Sequence, residues 1–94
     1  MNVTYAEEAI ADILDAIAYL NDRSPVAASQ LDRELATCIE HLAAGEFDGP
    51  LSRLRSGSIV RSWPVPPFRI YYQRQSDELL ILRVYHQTRR PIVR

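Results

Sequence analysis

Lysine is missing from this 94-residue chain, and all eleven of its Lys/Arg positions are arginine. There is one cysteine, Cys38, so no internal disulfide can form, and a reducing cytoplasm is the expected compartment. No apolar run approaches the ~20 residues needed to span a bilayer. The start, MNVTYAEEAI, has neither a basic opening nor an apolar stretch, so no secretion signal is expected. Two histidines and the single cysteine lie far apart, which leaves no metal-ligand spacing. G-x-x-x-x-G-K-S/T, G-x-G-x-x-G and G-x-S-x-G are all absent. Nothing in the sequence calls for a metal or a cofactor, and none is expected.

What is there is a chain rich enough in apolar residues, at 47%, to fold as one domain over residues 1–94. Its net charge of -1 hides a division. Residues 1–48 carry ten acids and two arginines, and residues 49–94 carry nine arginines and two acids. Arginine is planar, weakly hydrated and suited to carboxylates, phosphates and stacking. The C-terminal half should attract an acidic partner or a phosphate backbone. A GC-rich genome explains missing lysine but not this segregation.

MNVTY reads as a short strand. Thr4 opens T-Y-A-E, with capping-box spacing to Glu7. Ile10, Ile13, Leu14, Ile17 and Leu20 then form one helical stripe, with Glu7, Glu8, Asp12 and Asp15 on other faces. Asn21 and Asp22 end it. Ser24-Pro25 starts a second helix, an N-cap serine before a proline at the first helical position. Its stripe is Leu31, Leu35, Cys38, Ile39 and Leu42, and it ends between Ala43 and Gly45. Two helices so closely linked make an antiparallel hairpin.

EFDGPLSRLRSGS has loop composition. Strands are expected over Ile59 to Pro64, Phe68 to Arg74 and Leu79 to His86, with a tight connection at Gln75-Ser76-Asp77-Glu78. Pro64, Pro66 and Pro67 predict a bulge or splayed turn between the first two. One parity across the strands, Val60, Phe68, Ile70, Tyr72, Leu80, Leu82 and Val84, is expected beneath the helices. The other carries Arg61, Trp63, Arg69, Tyr71, Arg83 and Tyr85, an arginine-aromatic face suited to nucleic acid or an acidic peptide. An ordinary solvated face would carry the same residues. Leu79 and Ile81 share that second parity, which makes the last strand a central one.

Histidine, tyrosine and arginine can together cleave RNA without a metal, as base, proton donor and cation for the phosphorane. His86, Arg89 and Arg90 offer part of that set. Tyr85 and His86 are neighbours, however, so a regular strand points them to opposite faces, and a strand-end histidine with solvated arginines is the simpler reading. His41 reads as a surface residue, and Cys38 as a buried, inert thiol.

Five stretches in order, T-Y-A-E-E-A-I-A-D-I, S-P-V-A-A, F-D-G-P, F-R-I-Y-Y and L-L-I-L-R-V-Y-H-Q-T-R-R-P, resemble the ParE branch of the RelE/ParE toxin superfamily from type II toxin-antitoxin systems. The resemblance covers nearly the whole chain and is most specific in F-R-I-Y-Y and I-L-R-V-Y-H-x-x-R. It implies an α+β fold: an N-terminal strand, an antiparallel helical hairpin, then a three-stranded antiparallel sheet. It implies a poison that binds DNA gyrase without a catalytic residue. The alternative is a RelE-like ribosome-dependent mRNA endonuclease, in which Arg61, Arg69 and Arg83 would replace the absent lysines. The H-x-x-R-R ending is closer to the ParE pattern. Target contact is expected at His86, Arg89 and Arg90, supported by Arg61, Arg69, Arg83 and Tyr85. The implied partner is a ParD-like antitoxin of ribbon-helix-helix type, through which alone operator DNA would be met. Its amphipathic helix would lie on the hairpin at Leu20, Leu31 and Leu35, and a strand would join a sheet edge. No membrane association is implied.

Overall fold

The computed structural model describes residues 1–53 and 57–87. The elements are β1 (Asn2–Tyr5), α1 (Glu7–Arg23), α2 (Pro25–Ala43), β2 (Leu51–Arg53), β3 (Ile59–Val65), β4 (Phe68–Gln75) and β5 (Glu78–His86). The α+β class and the helical hairpin on a largely antiparallel sheet are as expected. The sheet is larger than expected, with five strands in the order β1-β5-β4-β3-β2. β1 joins its edge, parallel to β5, and the short β2, expected as loop, pairs antiparallel with β3. β5 lies between β1 and β4, an interior position.

Thr4 does not cap α1. It pairs with Leu80 inside β1, and the N-cap is Ala6, whose side chain makes no capping bond. Glu7 and Glu8 in the first turn supply the favourable charge instead. Ser24 forms the whole link between the helices. Its N–H donates to Leu20 O at 2.6 Å, ending α1, while its hydroxyl accepts from Ala27 N at 3.2 Å, starting α2. α2 ends where Glu46 N–H reaches His41 O and Gly45 N–H reaches Leu42 O, both at 3.1 Å. That pairing needs a left-handed residue, which Gly45 supplies with φ of 75°.

The α2 stripe is buried as expected, from Leu31 to Leu42. The α1 stripe is not. Ala9 and Ala16 are its buried residues, Ile13, Ile17 and Leu20 pack beside them, and Ile10 and Leu14 stand exposed at 47% and 62%. Small residues seven apart let α1 lie close to its neighbours, which pushes the larger side chains to its flanks.

The strand parity expected across β3, β4 and β5 fails for a geometric reason. Both connecting turns hold two residues, so the flanking residues pair directly: Val65 with Phe68, and Gln75 with Glu78. Directly paired residues share a face. Odd-numbered residues of β3 therefore join even-numbered residues of β4, which places Trp63 beside Ile70 and Arg61 beside Tyr72. Leu79 and Ile81, not Leu80 and Leu82, enter the main core, and both are fully buried. A bulge then intervenes. Tyr71 faces Arg83 but Tyr72 faces Ile81, so Leu82 has no partner and Val84 returns to the helix side. The irregularity sits here, not at the prolines. Pro66 and Pro67 occupy the turn, and Pro64 points away from β4 past the end of β2, where no ladder donor is needed.

Candidate interaction surfaces

Four of the expected arginine-aromatic residues do share the face away from the helices. Arg83 lies opposite Tyr71, and Arg69 opposite Tyr85. The Tyr71 and Tyr85 rings meet edge to face at 5.7 Å, and the Arg83 guanidinium sits 4.6 Å from the Tyr85 ring centre. Arg69 Nε donates to Ser62 Oγ at 2.9 Å. The rings are not an open platform, since Tyr71 and Tyr85 are buried and join Val60 and Leu82 in a second small apolar cluster. Burial pushes the Tyr71 phenol up, partly opposed by Arg69. Arg61 and Trp63 belong to the other face, where the indole stacks on Phe47 at 4.1 Å.

Arg83 is held by a carboxylate that lies far away in sequence. β1 covers the edge of β5 only as far as Ile81. Beyond it Asp12 of α1 takes over. Its Oδ2 accepts from Arg83 Nε at 2.8 Å and from Val84 N–H at 3.0 Å, while Oδ1 accepts from Arg83 Nη2 at 3.0 Å. The carboxylate thus substitutes for a strand, satisfying a backbone donor and a forked guanidinium together. The Asp12 hydrogen bond raises the Arg83 pKa further, against the desolvation that would lower it.

At the far edge the F-D-G-P segment, residues 47–50, is tied to the sheet. Asp48 Oδ1 accepts from Tyr72 Oη and Arg74 Nε, both at 2.8 Å, and Arg61 Nε lies 3.9 Å from Oδ2. Gly49 N–H donates to Tyr72 Oη at 2.9 Å, and Gly49 O accepts from Arg61 Nη1 at 2.8 Å. Arg74 Nη2 also reaches Phe47 O at 3.1 Å. Burial pushes the Asp48 carboxyl up, but hydrogen bonds from Arg74 and Tyr72 and the two nearby guanidiniums outweigh it, and the net shift is downward. Glycine is required at 49, because a Cβ there would stand 1.6 Å from Ser62 O.

At the end of β5, His86 is exposed, with its ring edge-on to Phe68 at 5.3 Å. Gln87 then pairs its N–H with Pro67 O at 2.8 Å. Arg89 and Arg90 lie outside the described residues. The expected partner-binding leucines are in the core. Leu31 and Leu35 are buried, and the half-buried Leu20 packs against the same cluster; Leu35 forms the floor of a groove. That groove runs between the helices and is otherwise lined by Tyr5, Ile10, Ile13, Leu14, Ala36 and Ile39, with Asp32 as its one charged residue. Cys38 is buried, and burial pushes its thiol up to about 11, away from nucleophilic use. Asp48 and its donors were legible only as the F-D-G-P string. Asp12 gave no signal, because an acid on the polar side of a helix looks solvated until the strand edge beside it is known.

The sequence matches the model of the family described as "ParE toxin of type II toxin-antitoxin system, parDE" over residues 3–91. No curated protein matches. Among solved structures, a chain of the "Chromosomal ParDE TA system from P. aeruginosa" is similar in fold, with a TM-score of 0.69 and 23% identity, covering 92% of this chain and 95% of that one. With the profile running from the first strand to past the last, this chain belongs to the ParE toxin family of type II toxin-antitoxin systems.

Proposed function

We propose that this toxin acts in the cytoplasm by binding and inhibiting DNA gyrase, and that a ParD-like antitoxin of ribbon-helix-helix type neutralises it and alone carries the pair to operator DNA. The family match over residues 3–91 carries the reading. Among the described residues, Arg61, Arg69 and Arg83 support binding over bond chemistry. Metal-free RNA cleavage needs a cation free to meet a developing phosphorane. Arg83 is forked onto Asp12, Arg61 is held by Gly49 O beside Asp48, and Arg69 is bonded to Ser62. The antitoxin helix is assigned to the groove floored by Leu35, with Tyr5, Ile10 and Leu14 as its exposed apolar contacts.

The test uses purified toxin against gyrase supercoiling and, separately, against translating ribosomes. Inhibited supercoiling with intact ribosome-bound mRNA is the expected result. His86→Ala and the pair Arg89→Ala, Arg90→Ala should each reduce inhibition by about tenfold, the loss of one good polar contact. Cuts in ribosome-bound mRNA that vanish in His86→Ala would replace this reading with the nuclease one.

A further inference from the structure

A cavity of about 410 Å³ opens between α1, the first residue of β4 and the last residues of β5, on the sheet side of α1. Its floor is apolar: Ala16, Phe68 and Val84. Besides Phe68, two ring side chains, Tyr19 and His86, line it, and its carboxylates are Asp12 and Asp15. Asp12 is already occupied by Arg83 and the Val84 N–H. Asp15 is exposed and makes no hydrogen bond or ion pair among the described residues. Tyr19 has shown what it accepts, since the Arg23 guanidinium lies 3.7 Å from its ring centre. Neither Arg23 nor Arg83 lines the cavity.

An apolar floor, aromatic walls and one carboxylate without a partner suit a side chain with a greasy stem and a flat cationic head. Arginine meets that description better than lysine, because its planar fork stacks on rings and grips a carboxylate with two donors. Phosphate and nucleic acid do not suit it, as the carboxylates repel them. We propose that this cavity receives an arginine side chain of the antitoxin, anchored by Asp15. The proposal rests on the toxin-antitoxin reading above. It adds a charged contact at a place separate from the apolar groove between the helices. Such a contact fixes the register of a partner more than it strengthens binding.

The test is calorimetric titration of the full-length toxin with the purified antitoxin encoded beside it, at low and at high salt. Asp15→Asn should weaken binding by about tenfold and flatten its salt dependence, with Asp15→Glu restoring much of both. Tyr19→Ala should weaken binding less. Both positions are exposed, and matching thermal melts would show that the fold is intact. An Asp15→Asn affinity within twofold of wild type overturns the proposal while leaving the toxin-antitoxin reading standing. Tighter binding by the Arg89→Ala, Arg90→Ala double variant would assign the cavity to the chain's own C-terminal segment and overturn it too. Wild-type protein that ignores the antitoxin overturns both.

Discussion

Each side of the sheet is closed by an aspartate that takes an arginine from a strand, yet the two aspartates do different things. Asp12 is 12% exposed in its side chain, sits on a helix, and finishes the ladder of β5 where β1 stops. Asp48 is 40% exposed, sits in a loop, and ties that loop to the sheet through Tyr72 and Arg74. The first replaces a missing strand; the second fastens a crossing of two backbones. Both exist because the sheet is asymmetric. β1 covers only the first part of β5, and β2 covers only Ile59, Val60 and Arg61 of β3. The comparison shows that edge protection in a small sheet can come from single side chains as well as from strands.

Three changes separate the two devices. The largest effect is expected from Gly49→Ala. The new methyl would collide with the Ser62 carbonyl, a backbone atom that cannot swing aside, and would part β3 from the loop that supplies Pro50 O to Ser62 N–H. A loss of about 3 kcal/mol is expected, read from urea melts. Insensitivity there would show that the loop is looser than its hydrogen bonds imply. Next comes Asp12→Ala, which strands the Val84 N–H and the Arg83 guanidinium together. About 2 kcal/mol is expected, with faster amide exchange at Val84 as the local signature. An unchanged exchange rate would mean that water serves the strand edge as well as the carboxylate does.

The smallest change is a pH effect at Asp48. Its pKa is lowered on folding, because its guanidinium and phenol partners outweigh desolvation. A depressed carboxyl contributes stability above its unfolded value, near 3.9, and that stability is lost as pH falls through the lower folded value. Asp48→Asn should therefore cost well under about 1 kcal/mol at pH 7, given the exposure of the group. It should also make the acid limb of the stability curve shallower. Parallel acid limbs for wild type and variant would leave Asp48 with no part in acid unfolding.

Much of the fold could be read along the chain. The Ser24-Pro25 start, the Leu31 to Leu42 stripe and the Gln75 to Glu78 turn all depend on residues within a few positions of one another, and all three stand in the structure. The short edge strand β2 could not be read, because its segment has loop composition and becomes a strand only by pairing with β3. The exposed arginine-aromatic surface dissolved for the same kind of reason. Counting parity along each strand was sound, but carrying it across two-residue turns and past Leu82 was not. Of the target-contact set, Arg69, Arg83 and Tyr85 kept a common face and His86 ends its strand as expected, while Arg61 moved to the helix side.

By itself the sequence determined where both helices and every strand but β2 form, how α2 is faced, and which superfamily the chain resembles, since capping, periodicity and motif strings act over short chain distances. Only the tertiary structure decided which arginines are spent on Asp12 and Asp48, which of Leu79 to Leu82 are buried, and where a cavity with an unpaired carboxylate opens. Those outcomes depend on register between strands and on a helix crossing a sheet edge, relations that for Asp12 and Arg83 span 71 positions and that no local pattern encodes.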